Sequence, residues 1–269
     1  MVVLPLPGPG CSRVLSLVHR IQPAQTVLVT SDVHLGAISS EQEQAFRAWL
    51  EQAAEVASRI VLNGDLFDFW FEYRWGNTHG HEIALHQLRE IVDGGVPVIL
   101  MGGNHDWWGG RYLRDEVGLD FHQDPIVTEF AGLKTFLAHG DGLGTGDLRY
   151  RIARLLLRGS VTRWAFGMLP PALGDWVARE VSHTEERRRN PVAAELQRAA
   201  ALETWAITEL KDRPDLDLLL LGHTHVPEII DVGSGQWYIN TGDWVYHRSY
   251  ALLREGEAPR LVEWTGSIP

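Results

Sequence analysis

The stretch TVLVTSDVHL, Thr26–Leu35, decides the fold. Five apolar or β-branched residues run without alternation and then turn polar at Ser31, Asp32 and His34. A run of that kind reads as a strand buried on both faces, with its reactive groups on the turn at its carboxyl end. The same grammar recurs four times. RIVLN (Arg59–Asn63) leads into Gly64-Asp65-Leu66-Phe67-Asp68, and VPVILM (Val96–Met101) into Gly103-Asn104-His105-Asp106. TFLA leads into His139-Gly140-Asp141, and LLLL (Leu218–Leu221) into Gly222-His223-Thr224-His225.

Between the first strands the period changes to that of a helix. Ser40 followed by Glu43 is a capping-box signature, and Phe46, Leu50 and Ala53 continue it at helical spacing. His81–Val92 reads as a second helix, striped by Ile83, His86, Leu88 and Ile91. This β-α-β-α-β order predicts a largely parallel sheet. Farther on, Ile126–Phe130 and Leu133–His139 read as a hairpin around Ala131-Gly132. Trp237–Asn240, Tyr246–Leu253 and Pro259–Trp264, separated by turns such as Gly233-Ser234-Gly235, give the second half an antiparallel character. The expected class is α+β or α/β, with two packed sheets and helices outside. Residues 1–25, with Pro5, Pro7 and Pro9, read as an N-terminal extension to a domain over 26–269.

One stretch stands outside the alternation. Residues 142–200 look helical, with RIARLLLRG, WAFGMLPPALGDWV and EERRRN, and hold 10 arginines against 6 acidic residues. The whole chain carries a net charge of −11, so this is a basic, apolar insertion in an acidic protein. It reads either as a solvated hairpin on the core or as a lid over an anionic, partly apolar substrate or a membrane surface. Arg151, Arg154 and Arg158 fall on one helical face, which reads as solvated or else as a phosphate-facing or membrane-facing stripe.

The remaining composition bounds the function. The 269 residues suffice for a sizeable core, and the acidic balance disfavours long nucleic acid as a partner. A single cysteine, Cys11, excludes an internal disulfide framework and fits a reducing, cytoplasmic setting. No apolar run approaches the roughly 20 residues of a spanning helix. The 11 tryptophans scatter from Trp49 to Trp264 and read as core aromatics.

The motifs offer Asp32, His34, Asp65, Asn104, His139, His223 and His225: carboxylate and amide oxygens with imidazole nitrogens and no thiolate. Such a set suits Mn²⁺, Fe²⁺ or Zn²⁺ and argues against Ca²⁺. Seven ligands are too many for one ion and suit two, about 3.5–4 Å apart, the arrangement that clamps a phosphoryl group. Two such cations acidify a water enough to supply hydroxide near neutral pH. Asp68 and Asp141 read either as supports behind the ligands or as ordinary turn residues, rather than as ligands. His79, His81, His86, His122, His183 and His247 read as ordinary surface or core histidines.

In this order the motifs D-x-H, G-D, G-N-H-D, H and G-H-x-H resemble those of the calcineurin-like metallophosphoesterases, over Thr26 to Trp244. The resemblance implies a four-layer α-β-β-α sandwich with a dinuclear metal site. It implies Asp32, His34, Asp65 and His225 on one ion, with Asp65 bridging to a second completed by Asn104, His139 and His223. His105, oriented by Asp106, is implied beside the scissile phosphate, where it would stabilise developing charge or protonate the leaving oxygen.

Three stretches narrow this further: GDLFDFWFEYRWG (Gly64–Gly76), HGDGLGTGDLRYR (His139–Arg151) and the helical insertion. They are similar to the UDP-2,3-diacylglucosamine hydrolase group, which uses Mn²⁺ to cleave a lipid-linked nucleotide pyrophosphate as a peripheral membrane enzyme. The resemblance implies release of UMP and lipid X at the inner face of the membrane, under a helical lid. It places Asp147 and Tyr150 against substrate, and Arg187, with Arg188 and Arg189, is the candidate source of positive charge in that lid. Members of the group carry Arg at the position of His105 and a lid lysine that Ser182–Leu196 lacks. The same metal site also suits a soluble nucleotide or other phosphodiester, and a metal-binding interaction scaffold is the reading from another class.

Overall fold

The computed structural model describes residues 25–144, 156–174, 176 and 193–269. The expected N-terminal extension lies almost wholly outside them, and so do Asp147, Tyr150, Arg151, Arg154 and Arg187.

Two sheets form the centre. The first has the order β13-β12-β1-β2-β5-β6: β1 (Thr26–Thr30), β2 (Arg59–Asn63), β5 (Val98–Met101), β6 (Asp120–His122), β12 (Ser249–Arg254) and β13 (Arg260–Glu263). Strands β1, β2, β5 and β6 run parallel, while β12 pairs antiparallel with β1 and β13 with β12. The second sheet has the order β10-β11-β9-β8-β7: β7 (Ile126–Phe130), β8 (Leu133–Leu137), β9 (Leu218–Leu221), β10 (Glu228–Gly233) and β11 (Gln236–Asn240). A two-stranded ribbon, β3 (Glu72–Tyr73) with β4 (Gly76–Asn77), projects between the first strands.

Packing explains why the strands read as continuous apolar runs. Val27 and Val29 of β1 meet Leu137, Leu218, Leu220 and Ile239 in the core between the sheets. Leu28, between them in sequence, faces the other way, into a core with α1 (Ser40–Val56) and α2 (Glu82–Asp93). On the far side, Leu219, Leu221 and Tyr238 of the second sheet pack on Leu202, Ala206 and Leu210 of α4 (Ala193–Asp212). A fourth helix, α3 (Ser160–Gly167), precedes α4 in the chain. Helix, sheet, sheet and helix stack in that order, so the fold is the α-β-β-α sandwich. Among the described residues no helix is long and apolar enough to cross a membrane.

Local expectations differ from the structure in four places. The cap of α1 is Ser39 with Gln42, one residue before the expected pair: Gln42 N donates to Ser39 Oγ at 3.2 Å, and Ser39 N to Gln42 Oε1 at 2.8 Å. Helix α2 turns Ala84, Leu85, Leu88 and Ile91 inward and leaves Ile83 60% exposed, so Ile83 and His86 are off its buried stripe. The second half is mixed rather than antiparallel. Strands β8, β9 and β11 run parallel, because α4 carries the chain back across the sheet between β8 and β9. Strand β12, in the first sheet beside β13, begins at Ser249 rather than at Tyr246.

Candidate metal centre

All five motifs leave their strands at carboxyl ends, and paired strands in one sheet bring those ends to one edge. The loops are bound to each other through the backbone: Asp32 N donates to Gly64 O at 3.0 Å, His34 N to Asp65 O at 3.0 Å, and Gly222 N to His139 O at 2.8 Å. Five site residues take left-handed backbone, with φ of 54° at Asp32, 54° at His34, 52° at Asp65, 70° at His223 and 61° at His225. Each such non-glycine conformation costs about 1–3 kcal/mol and persists only where the surroundings enforce it. Strain concentrated on side chains of one chemical kind marks a working site. Two glycines are required by close approach. A Cβ on Gly103 would stand 2.1 Å from Asp65 Oδ1, and one on Gly222 would stand 2.6 Å from Asp32 Oδ2.

The side chains converge on two carboxylate oxygens. Asp32 Oδ1 lies 3.4 Å from His225 Nε2 and 4.0 Å from His34 Nε2. Asp65 Oδ2 lies 3.3 Å from His139 Nε2, 3.9 Å from His34 Nε2 and 4.0 Å from His105 Nε2. Ligands each about 2.0–2.2 Å from a common ion stand at separations of this order. Asp32, His34 and His225 form one group able to hold an ion, and Asp32, Asp65 and His139 another.

Whether a cation fits is tested by the atoms themselves. Asp32 Oδ1, His34 Nε2, Asn104 Oδ1, His139 Nε2 and His225 Nε2 are all buried without a hydrogen-bond partner. Orphaned polar atoms are uncommon in folded proteins, and the four on Asp32, His34, His139 and His225, which stand together in the groups able to hold an ion, call for an electrophile. The opposite edges of two of these rings are held by hydrogen bonds. His139 Nδ1 donates to Asn63 O at 2.9 Å and His225 Nδ1 to Asp243 Oδ2 at 3.0 Å. His34 Nδ1 faces Asp68 Oδ1 at 3.5 Å. A carbonyl or carboxylate can only accept, so His139 and His225 carry their proton on Nδ1 and turn an Nε2 lone pair inward. The donor set fits divalent cations.

Electrostatics agree. Burial opposes charge on His139, but the Asp65, Asp32 and Asp141 carboxylates override it and raise the imidazole well above its usual value. His225 is raised in the same way by Asp32 and Asp243 against burial. His34 is lowered, chiefly by burial. Burial also opposes the charge of Asp65, yet His139, His105 and His34 hold its carboxyl well below the ordinary range. Without a cation, protons on the histidines take up part of the negative field that an ion would neutralise.

The remaining expected residues fall as follows. The His223 ring lies 5.2 Å from that of His139, and its backbone N–H donates to Asp32 Oδ2 at 2.9 Å. His105 stands on the rim, 14% exposed, with Nδ1 donating to the Asp68 carbonyl at 2.6 Å. Asp106 does not orient it. Its carboxylate is turned away and accepts the amides of Gly103 and Leu66, at 2.7 Å each, and of Asp65 at 3.3 Å, bracing two loops from below. Burial and the neighbouring Asp65 push the Asp106 carboxyl up to about 6.

Three residues carry more than the sequence suggested. Asp243, fully buried, backs His225 through Oδ2 while Oδ1 accepts His247 Nδ1 at 3.1 Å. His247, read as ordinary, therefore belongs to this chain of contacts. Arg158, read on a solvated face, is turned inward onto Asp141 at 2.8 Å. The only signal for Asp243 is its place in NTGDW, just beyond β11.

Residues 25–227 match the family model for the calcineurin-like phosphoesterases. A UDP-2,3-diacylglucosamine hydrolase of Porphyromonas gingivalis is 31% identical over 248 residues, 84% of this chain and 93% of that protein. One from Vibrio cholerae is 28% identical over 230 residues, covering 84% and 93%. Among solved structures, Vacuolar Protein Sorting 29 from Cryptosporidium parvum aligns with a TM-score of 0.44 and 16% identity, over 89% of this chain and 98% of that one. With a family match that spans every motif of the centre, and a relative alike along most of both chains, this chain belongs to the calcineurin-like phosphoesterase family and is a hydrolase of phosphoesters.

Proposed function

We propose that the chain hydrolyses the pyrophosphate of UDP-2,3-diacylglucosamine or a closely similar nucleotide-linked lipid, with two Mn²⁺ ions, and releases UMP. The observation that carries the metal chemistry is the convergence of four orphaned buried donor atoms, on Asp32, His34, His139 and His225, beside Asp65. The relatives named for that substrate, similar over 84% of this chain, support the choice of substrate. Asp32, His34, Asp65 and His225 hold one ion, and Asp65, Asn104, His139 and His223 the other. When bound, the pair supplies an acidified water and neutralises phosphate oxygens.

The chain's own residues do the rest. Asp65 stands between the two sets of histidines and serves both. His105 faces the substrate phosphate. With Nδ1 committed as donor to the Asp68 carbonyl, Nε2 accepts in the neutral ring and donates only as imidazolium. As an acid toward the leaving oxygen His105 therefore acts from its protonated form. The insertion over about residues 142–200 is the lid. Its described part exposes Leu156, Leu157, Val161, Trp164, Leu173 and Trp176, an apolar surface suited to acyl chains at the cytoplasmic face of a membrane. Asp147, Tyr150 and Arg187 are assigned to the substrate from the same stretch.

The test is turnover of Mn²⁺-loaded protein on UDP-2,3-diacylglucosamine beside bis(p-nitrophenyl) phosphate. UMP release far faster than hydrolysis of the generic ester is expected. Hydrolysis of the generic ester alone would keep the phosphoesterase and discard the lipid substrate.

A further inference from the structure

Both halves of the centre are tied by the chain, and one of them takes a further contact from the insertion. The half formed by Asp32, His34 and His225 is tied by the chain itself: His223 N to Asp32 Oδ2 at 2.9 Å, Trp244 N to Asp32 O at 3.2 Å, and Asp243 behind His225. In the other half, His139 is held by the Asn63 carbonyl at 2.9 Å and by the Gly222 amide at 2.8 Å, while Asn104 follows β5 in the first sheet and His139 follows β8 in the second. A side chain from the insertion spans these two loops. Arg158 Nη2 donates to Asp141 Oδ2 at 2.8 Å and to the Gly103 carbonyl at 3.2 Å, and the guanidinium lies 4.8 Å from the centroid of the Trp107 ring. Asp141 is two residues past His139, and Gly103 immediately precedes Asn104.

The contact is not a surface pairing. The Arg158 and Asp141 side chains are 11% and 7% exposed, so water screens them little. Of the arginines described in the insertion, Arg163 and Arg198 are exposed. A planar guanidinium can meet a carboxylate and a carbonyl at once while lying over an aromatic face, which a lysine ammonium does less well.

We infer that Arg158 is a positioning residue for the second metal ion: it sets the spacing of the Asn104 and His139 loops, and so couples the insertion to occupancy of that half of the centre. This rests on the dinuclear reading above. It assigns Arg158 no contact with substrate.

The readout is metal binding to the apo protein, followed by calorimetric titration with Mn²⁺ and by the exchange-coupled paramagnetic resonance signal of a filled pair. Arg158→Ala is expected to weaken the second ion about 10–100-fold and to leave the first unchanged, as loss of outer support for metal ligands does elsewhere. Arg158→Lys keeps the charge toward Asp141 and should fall between. Arg163→Ala, exposed on the next helix, should match the parent. Melting followed by circular dichroism checks that each variant is folded. Two ions bound by Arg158→Ala with unchanged affinity would overturn the inference, and so would equal weakening of both ions, which is a general packing effect. A parent protein that takes up only one ion would instead fail the dinuclear reading itself.

Discussion

Asp243 holds the Nδ1 edge of His225 at 3.0 Å and thereby turns its Nε2 toward Asp32 Oδ1, 3.4 Å away. The carboxylate uses both oxygens. Oδ2 serves His225, and Oδ1 accepts His247 Nδ1 at 3.1 Å and the amides of Tyr246 and His247 at 3.0 Å each. An asparagine has one acceptor oxygen and cannot serve both sides. Asp243→Asn should therefore lower metal affinity about 10–100-fold while the chain stays folded. His247→Ala should change it far less, because Oδ1 keeps its two amides. Titration of both apo variants with Mn²⁺ decides the matter, and unaltered affinity in Asp243→Asn would refute the role.

Gly103→Ala tests the close approach of two loops. The added methyl would meet Asp65 Oδ1 at 2.1 Å and Asp65 N at 2.5 Å, and neither atom is the end of a flexible chain. Overpacking of this kind costs about 1–3 kcal/mol. Relief requires Asp65, the shared carboxylate, to move. Loss of metal binding greater than the loss of stability is expected, measured as metal content beside the melting temperature. Full metal content would show that the loops have room to separate.

How much of this was legible follows from where each signal lies. Strands β1, β2 and β9 match their expected bounds because burial on both faces leaves an unbroken apolar run that stops at a polar turn. The edge strand β10 has no such run, since its residues are at most half-buried, and it passed unnoticed. Strand β12 begins at Ser249 rather than Tyr246 because the Asp243 carboxylate draws the amides of Tyr246 and His247 into a turn. The candidate ligands are readable since each sits in a short motif directly after its strand. Asp243 and Arg158 are not, for their roles exist only through partners folded against them. His225 is 18 residues from Asp243, and Gly103 is 55 from Arg158.

Gln236 offers a control at the other end of the second sheet. It opens β11, whose far end, Asn240, approaches the metal loops through the Gly222 carbonyl at 2.9 Å. Its buried Nε2 donates to the carbonyls of Leu210, Arg213 and Leu216 at 2.9, 3.2 and 2.8 Å, closing the end of α4. Gln236→Leu leaves those carbonyls unsatisfied and should cost about 1–3 kcal/mol. The melting temperature should fall with metal affinity unchanged, and a fall in both would mean that the centre senses α4.

Removing the metal should be visible in stability as well as in activity. The buried Asp32 and Asp65 carboxylates and the orphaned Nε2 atoms of His34, His139 and His225 face one another, and only partial protonation of the histidines offsets that arrangement without a cation. A cation that binds the folded chain alone stabilises it by mass action, about 2.7 kcal/mol at a free concentration 100 times its Kd. For a chain of this size that is a shift in melting temperature of roughly 5–10 °C. Protein stripped with a chelator should melt lower by this amount and lose phosphoesterase activity, and Mn²⁺ should restore both. Asp65→Ala should abolish the Mn²⁺-dependent part of the shift, because the carboxylate proposed to serve both ions is gone. A chelated protein that melts with the untreated one would mean that these donors do not hold an ion in solution.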